Sequence, residues 1–284
     1  MSYATLPQNV LFTDPNQLPA FLEFVEGNIP WLYDDGQGNP TIGIGMNLTN
    51  RDNMAIILSL MTQSSVSQSE VDAFEEIIQN AQKLPSGVSS DGSVQKPPSQ
   101  QYSQTQALQN ALNAELAKYV QPGQVVSFTN FPQSLARKAL QDALTDGYVV
   151  AGYGAITSYS QKALNWLQGG NPYGITVTTN IPTENSGAWE ALVSLFYNQS
   201  ENSPLLGPKL MTALNIGDLA QAWFEIRYGS NSGWESNTKA TQGVAKRRYL
   251  ESQLFGLSAD NYGQAIQAYE VLEANRSTML RRRK

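Results

Sequence analysis

The chain has 284 residues and a formal net charge of −6, with hydrophobic residues at 41% and aromatics at 10%. That is enough apolar material for a sizeable core, and it argues against wholesale disorder. Cysteine and histidine are both absent, which excludes disulfides, a thiol nucleophile, a serine–histidine–aspartate triad and the sulfur and imidazole ligands that zinc favours.

Any chemistry must therefore rest on carboxylates, hydroxyls, amides, lysine or arginine, and neither a metal nor a cofactor is expected. The negative charge disfavours nucleic acid as a partner; the basic end RSTMLRRRK is the local exception, expected to be a solvated terminus. No stretch reaches the roughly 18 apolar residues of a membrane span, so no stable membrane insertion is expected. The start of the chain lacks a basic segment followed by an apolar run, which predicts synthesis in a cytoplasm without a Sec signal.

Leu18, Phe21, Leu22 and Val25 recur at helical spacing and predict a helix over 14–26, opened by Asp14-Pro15 and stopped by Gly27. Glu26 falls at its end, where the unpaired carbonyls of the helix oppose a second negative charge. Strands follow at 32–34 and 41–45, joined by the turn run DGQGNP. In the second strand Ile42 and Ile44 point one way, while Thr41, Gly43 and Gly45 point the other. That nearly bare face would let a ligand approach the backbone closely.

Residues 51–82 read as mostly helical. Residues 83–106, rich in Ser, Gln, Pro and Gly, predict a long flexible loop. Helical patterns return over 107–120, 131–150 and 160–168. Residues 171–187 read as loop or irregular strand, and helices follow over 188–199, 216–229 and 242–256, with a last helical pattern over 262–276. There is no internal repeat of fixed period.

Two carboxylates beside one groove suit glycoside hydrolysis, in which one protonates the leaving oxygen while the other stays ionised. Glu26 at a helix end and Asp35 at the mouth of a hairpin have the different surroundings this division requires. Thr41, entering from the opposite strand, could hold a water beside Asp35. On spacing alone, the same acids also serve as solvated helix-end and turn residues.

The whole segment EGNIPWLYDDGQGNPTIGIG resembles the active-site segment of phage-type lysozymes, family 24 of the glycoside hydrolases. In that pattern eight residues separate the glutamate from the aspartate and five separate the aspartate from the threonine, followed by Ile/Val-Gly-x-Gly. Glu26, Asp35 and Thr41 meet both spacings, and Tyr33 takes the place of the tyrosine before the aspartate. Downstream, AWEALVSLFYNQ resembles the family's buried helix that ends at the cleft, with Asn198 in place of a glycan-contacting amide. GVAKRRYLESQLF resembles its Gly-Leu-x-x-Arg-Arg helix, by which Arg247 would face the catalytic glutamate; an ordinary ion-pairing role is the alternative for that arginine.

The resemblance covers about 11–50 and 185–257. Met46 stands where these enzymes often carry histidine, the region between the matches is longer than usual, and the chain is acidic where many members are basic. GIGIG lacks the third glycine of a dinucleotide loop, and DDGQGN does not meet the calcium-loop pattern. Trp31 and Trp234 lie beside polar loops and are candidates for sugar stacking, whereas Trp166, Trp189 and Trp223 read as core.

The resemblance implies an α+β, mostly helical lysozyme-like fold, with a small β-hairpin lobe carrying Asp35 and Thr41 and Glu26 at its junction with a large helical lobe. Residues 1–284 would form one catalytic unit: an N-terminal helix and hairpin (1–50), an enlarged helical region (51–184), a C-terminal helical lobe (185–257) and a tail (258–284). It implies an inverting muramidase that cleaves the β-1,4 bond between N-acetylmuramic acid and N-acetylglucosamine in peptidoglycan. Glu26, Asp35 and Thr41 would be catalytic, and Tyr33, Gly43, Asn198 and Arg247 would contact substrate. The expected partner is the glycan strand, reached by holin release, virion delivery or contact-dependent secretion (type VI in particular); an antibacterial effector would add an immunity protein. The alternatives are a chitin- or chitosan-directed hydrolase of the same fold and a non-catalytic binding or virion structural protein.

Overall fold

The computed structural model describes residues 18–35, 38–82, 98–121, 123, 125–178, 180–184, 186–198, 205–230, 247, 248 and 250–256. The chain is α+β and mostly helical, with two small antiparallel sheets. Residues 19–160 form one compact unit, and the chain from Gln161 onward belongs to a second.

The first unit opens with α1 (Leu18–Glu26), which buries Phe21 and Leu22. Gly27 closes the helix at φ +75°, and its N–H donates to Glu23 O at 2.9 Å. Left-handed geometry of this kind is open to glycine at little steric cost. Strands β1 (Ile29–Asp34), β2 (Pro40–Gly43) and β3 (Met46–Asn47) then form an antiparallel sheet in sequential order. Tyr33 pairs with Thr41 and Asp34 with Pro40, and the register shifts between Ile29 and Tyr33. The far edge of β1 is covered by the chain itself: Leu32 N donates to Phe128 O at 2.8 Å, and Phe131 N to Pro30 O at 2.7 Å. Covering an edge in this way removes a template for pairing with other chains.

Helices α2 (Arg51–Thr62), α4 (Pro98–Leu116) and α5 (Gln133–Leu144) pack on this sheet, and α3 (Gln68–Gln82) packs on α2 and α4. Asn50 caps α2 by accepting from the N–H groups of Asp52 and Asn53. Phe74 of α3 stacks at tilted angles on Tyr119 and Phe128, with ring centroids 6.2 and 6.0 Å apart. Arg51 of α2 ties itself to α3 through Gln68, Asp72 and Glu75. A second hairpin, β4 (Val149–Val150) with β5 (Gly154–Ala155), leads into α6 (Tyr159–Leu167), within which the first unit ends.

Two expectations change here. The loop expected over 83–106 is helical from residue 98, as the start of α4; residues 83–97 lie outside the described residues. Proline is tolerated in a first helical turn because its missing N–H has no intrahelical partner there, and glutamine is a fair helix former. The helix expected over 131–150 stops at Leu144, and its end forms β4. Gly147 at φ +70° turns the chain, and two β-branched valines favour the extended state beyond it.

In the second unit, α7 (Gly187–Tyr197) is almost wholly buried and starts at Ser186, whose side chain accepts from Trp189 N. Residues 247, 248 and 250–255 are helical, and this backbone passes very close to α7. A Cβ placed on Gly187 would lie 2.5 Å from Leu254 O, so only glycine permits the approach. Helix α8 (Pro208–Ile216) ends at Gly217, φ +75°. Asp218 then caps α9 (Leu219–Phe224), which continues into a π-helical turn, Glu225–Gly229. Trp189 and Trp223 are core residues. Trp166 packs edge-on to Phe196 and donates its indole N–H to Leu206 O at 3.1 Å. Trp234 and the helical pattern over 262–276 lie outside the described residues. Among the described residues no helix is long and apolar enough to cross a membrane.

Candidate active site

The first unit brings four of the sequence-derived residues together: Glu26, Tyr33, Asp35 and Thr41. Glu26 is the last residue of α1 and is half-buried. Its carboxylate occupies space left by Gly45, at which an added Cβ would lie 3.1 Å from Glu26 Cδ and 3.3 Å from Oε2. Gly45 has φ +68° and sits in the turn between β2 and β3, so both its conformation and its surroundings select glycine.

Asp35 lies just beyond β1 and is exposed. Its carboxylate accepts from Asn39 N at 3.1 Å and from Asn39 Nδ2 at 2.9 Å, while its own N–H donates to Asn39 O at 3.2 Å. Thr41 is buried, and its hydroxyl donates to the same Asn39 carbonyl at 3.2 Å. Asn39 therefore links Asp35 to Thr41 and fixes both to one turn. The hydroxyl can also accept, and its ladder partner is Tyr33. The neighbouring Asp34 has a separate task, accepting from Gly38 N at 3.0 Å.

Tyr33 is where the two acids converge. Burial, then the negative charges of Glu26 and Asp35, push its phenol pKa well above the ordinary tyrosine value. The phenol therefore stays neutral in the field of two carboxylates. The charge of Glu26 is also felt at Tyr159, whose phenol is pushed up to about 12 by burial and by the charges of Asp52 and Glu26, against an opposing hydrogen bond from Asn53. Asn53 is buried and donates to Tyr159 Oη at 3.1 Å and to Asn47 O at 3.0 Å. It thereby ties α6 to the end of β3.

The bare glycine face is a correction. Gly43 is buried, and a Cβ there would lie 3.0 Å from Ala136 Cβ and 3.4 Å from the Phe131 ring. Gly43 lets α5 approach the hairpin rather than opening a floor to a ligand. Its φ of +65° also breaks the alternation on which the expected face depended. Met46 is fully buried and belongs to the core.

Asn198 and Arg247 fall in the second unit and share one buried network. Arg247 Nε donates to Glu251 Oε1 at 2.9 Å, and its Nη2 to Ser194 O at 3.1 Å. Arg248 pairs with Glu251 Oε2 and donates to Asn198 Oδ1 at 2.5 Å. The guanidinium of Arg247 is thus ion-paired with Glu251, and the Asn198 amide oxygen accepts from Arg248.

Sequence reasoning missed Asn39, Asn53 and Tyr159. The turn run around Asn39 marks it as a side chain able to bond its own backbone neighbourhood, but the Asn53–Tyr159 contact joins residues 106 apart and carries no local signal. Among the described residues no group of three or more Asp or Glu side chains could hold a metal ion.

No family model, curated protein or solved structure matches the chain.

Proposed function

We propose that the chain is a glycoside hydrolase with a lysozyme-like fold and action, cleaving the β-1,4 bond between N-acetylmuramic acid and N-acetylglucosamine in peptidoglycan. The observation that supports this reading is the placing of Glu26 against Gly45 at one turn of the hairpin sheet, with Asp35 and Thr41 joined through Asn39 at the other. Glu26 lies at a helix end in a pocket shaped by Gly45, whereas Asp35 lies in an exposed turn clamped by Asn39. Two carboxylates in different settings are what acid and base roles at one glycosidic bond require.

In this mechanism Glu26 delivers a proton to the leaving oxygen. Asp35 and the Thr41 hydroxyl orient water on the opposite face of the sugar, giving inversion at the anomeric carbon. Neutral Tyr33 contacts the sugar between them. The proposed site of action is the cell wall, after holin release, virion delivery or contact-dependent secretion. The test is mass spectrometry of fragments released from purified peptidoglycan by the wild type and by Glu26→Gln. Reducing muramic ends from the wild type, falling about 10²–10⁴-fold in the folded variant, are the expected result. Anhydro ends would replace the proposed reaction by transglycosylation, and near-normal activity of the variant would remove Glu26 from the mechanism.

A further inference from the structure

We propose that Trp31 is a sugar-stacking subsite of the same groove, a platform for an N-acetylhexosamine ring one pleat along β1 from Tyr33. The inference rests on the glycan-cleaving reading above. Trp31 is 51% exposed, and it and the half-buried Tyr33 flank the buried Leu32. Trp31 and Tyr33 therefore project from the side of the strand opposite Leu32. Tyr33 pairs across the ladder with Thr41, so β1 carries an aromatic path from the Asp35–Thr41 turn outward. Alternate residues of a strand lie about 6–7 Å apart, a step on the scale of one pyranose ring.

Two features separate Trp31 from an incidental exposed aromatic, which by itself needs no explanation. First, the indole makes no hydrogen bond or ring contact among the described residues while about half of the residue is exposed. Second, the backbone on both sides of it is fixed, by Pro30 O accepting from Phe131 N and by Leu32 N donating to Phe128 O. A platform held on both sides loses little entropy when a ligand lands. An indole offers an apolar face for the C–H face of a pyranose and an N–H for a ring substituent. An N-acetylated sugar presents both.

The test uses the full chain, with Glu26→Gln as the parent so that ligand is not consumed. A soluble N-acetylglucosamine tetramer is titrated against the parent, Trp31→Ala and Trp31→Phe, and sedimentation with purified peptidoglycan repeats the comparison on the polymer. Trp31→Ala should bind roughly three- to tenfold more weakly, the scale of one aromatic contact, and Trp31→Phe should recover much of the loss. In the active background Trp31→Ala should raise KM and change kcat little. Because the result does not depend on a variant folding, the indole N–H resonance of Trp31 is also followed in the parent and should shift on titration. If the parent binds both ligands, but the resonance stays still and Trp31→Ala binds equally well, the subsite is overturned and the hydrolase reading stands. If the parent binds neither ligand and the wild type releases no glycan fragments, the hydrolase reading falls and the subsite with it.

Discussion

Gly45 leaves the space that the Glu26 carboxylate fills. A Cβ on residue 45 would meet Glu26 Cδ at 3.1 Å and Cγ at 3.2 Å, and the backbone there has φ +68°. Gly45→Ala therefore does two things. A side chain in left-handed geometry destabilises by about 1–2 kcal/mol, and the carboxylate must move by a few tenths of an ångström. Denaturant unfolding should reveal the first effect and peptidoglycan hydrolysis the second, with activity falling further than the folded fraction explains. A variant as stable and as active as the wild type would show that Glu26 is not held by this turn.

The adjacent aspartates are predicted to separate by function. Both accept hydrogen bonds across the turn, Asp34 from Gly38 N and Asp35 from both nitrogens of Asn39. Only Asp35 contributes its charge to Tyr33 alongside Glu26. Asp35→Asn should lose most hydrolysis while still binding glycan, and Asp34→Asn should stay within a few-fold of wild type. Asn39→Ala should resemble a weak Asp35 variant, because it removes the Nδ2 hydrogen bond to that carboxylate while the backbone bonds of residue 39 to Asp35 and Thr41 stay in place. Steady-state assays on purified peptidoglycan decide the order; the reverse ranking of the two aspartates would move the catalytic base to Asp34.

Local patterns carried the helix ending at Glu26, its glycine stop and the pairing of the two hairpin strands, because each depends on residues a few positions apart. Gly43 was misread for a physical reason. A glycine that admits a ligand and one that admits the chain's own helix look identical in sequence, and here Ala136 of α5 fills the space. Position 98 was misread because Ser- and Gln-rich composition describes polarity, not backbone state. The Asn53–Tyr159 pair and the contact of Arg248 with Asn198 span long stretches of chain, where no periodicity could have joined them.

Acid should loosen α1 from α5. Glu23 of α1 accepts from Arg137 Nε at 2.8 and 3.1 Å and from Gln133 Nε2 at 2.9 Å. The Arg137 hydrogen bond is the main reason its carboxyl lies below the ordinary 4.5, against a smaller opposing effect of burial. Since the folded pKa is the lower one, the stabilisation is fully present above pH 4.5. It is lost as pH falls through the folded pKa. Following the Glu23 carboxyl by carbon NMR should give a low midpoint that returns toward the ordinary value in Arg137→Ala. An unchanged midpoint in that variant would exclude the ion pair as the cause.

The largest stability effect is predicted for Glu251. Its carboxylate is fully buried between two arginines that are themselves 7% and 1% exposed, Arg247 and Arg248, and it also accepts from Ser194 Oγ at 2.6 Å. Desolvating three charges is unfavourable, and their mutual attraction compensates only while all three are present. Glu251→Ala removes the buried carboxylate that both guanidinium groups share and should destabilise by about 3–5 kcal/mol. Replacing all three at once, as Arg247→Met, Arg248→Leu and Glu251→Leu, removes the charges together with the need to balance them. That variant should unfold at a denaturant midpoint far closer to the wild type than Glu251→Ala does. Asn198, which accepts from Arg248 Nη2, would lose that contact in the triple variant, so its amide resonance reports whether the end of α7 still holds its place. A Glu251→Ala protein within about 1 kcal/mol of wild type would mean that water reaches the cluster and screens it.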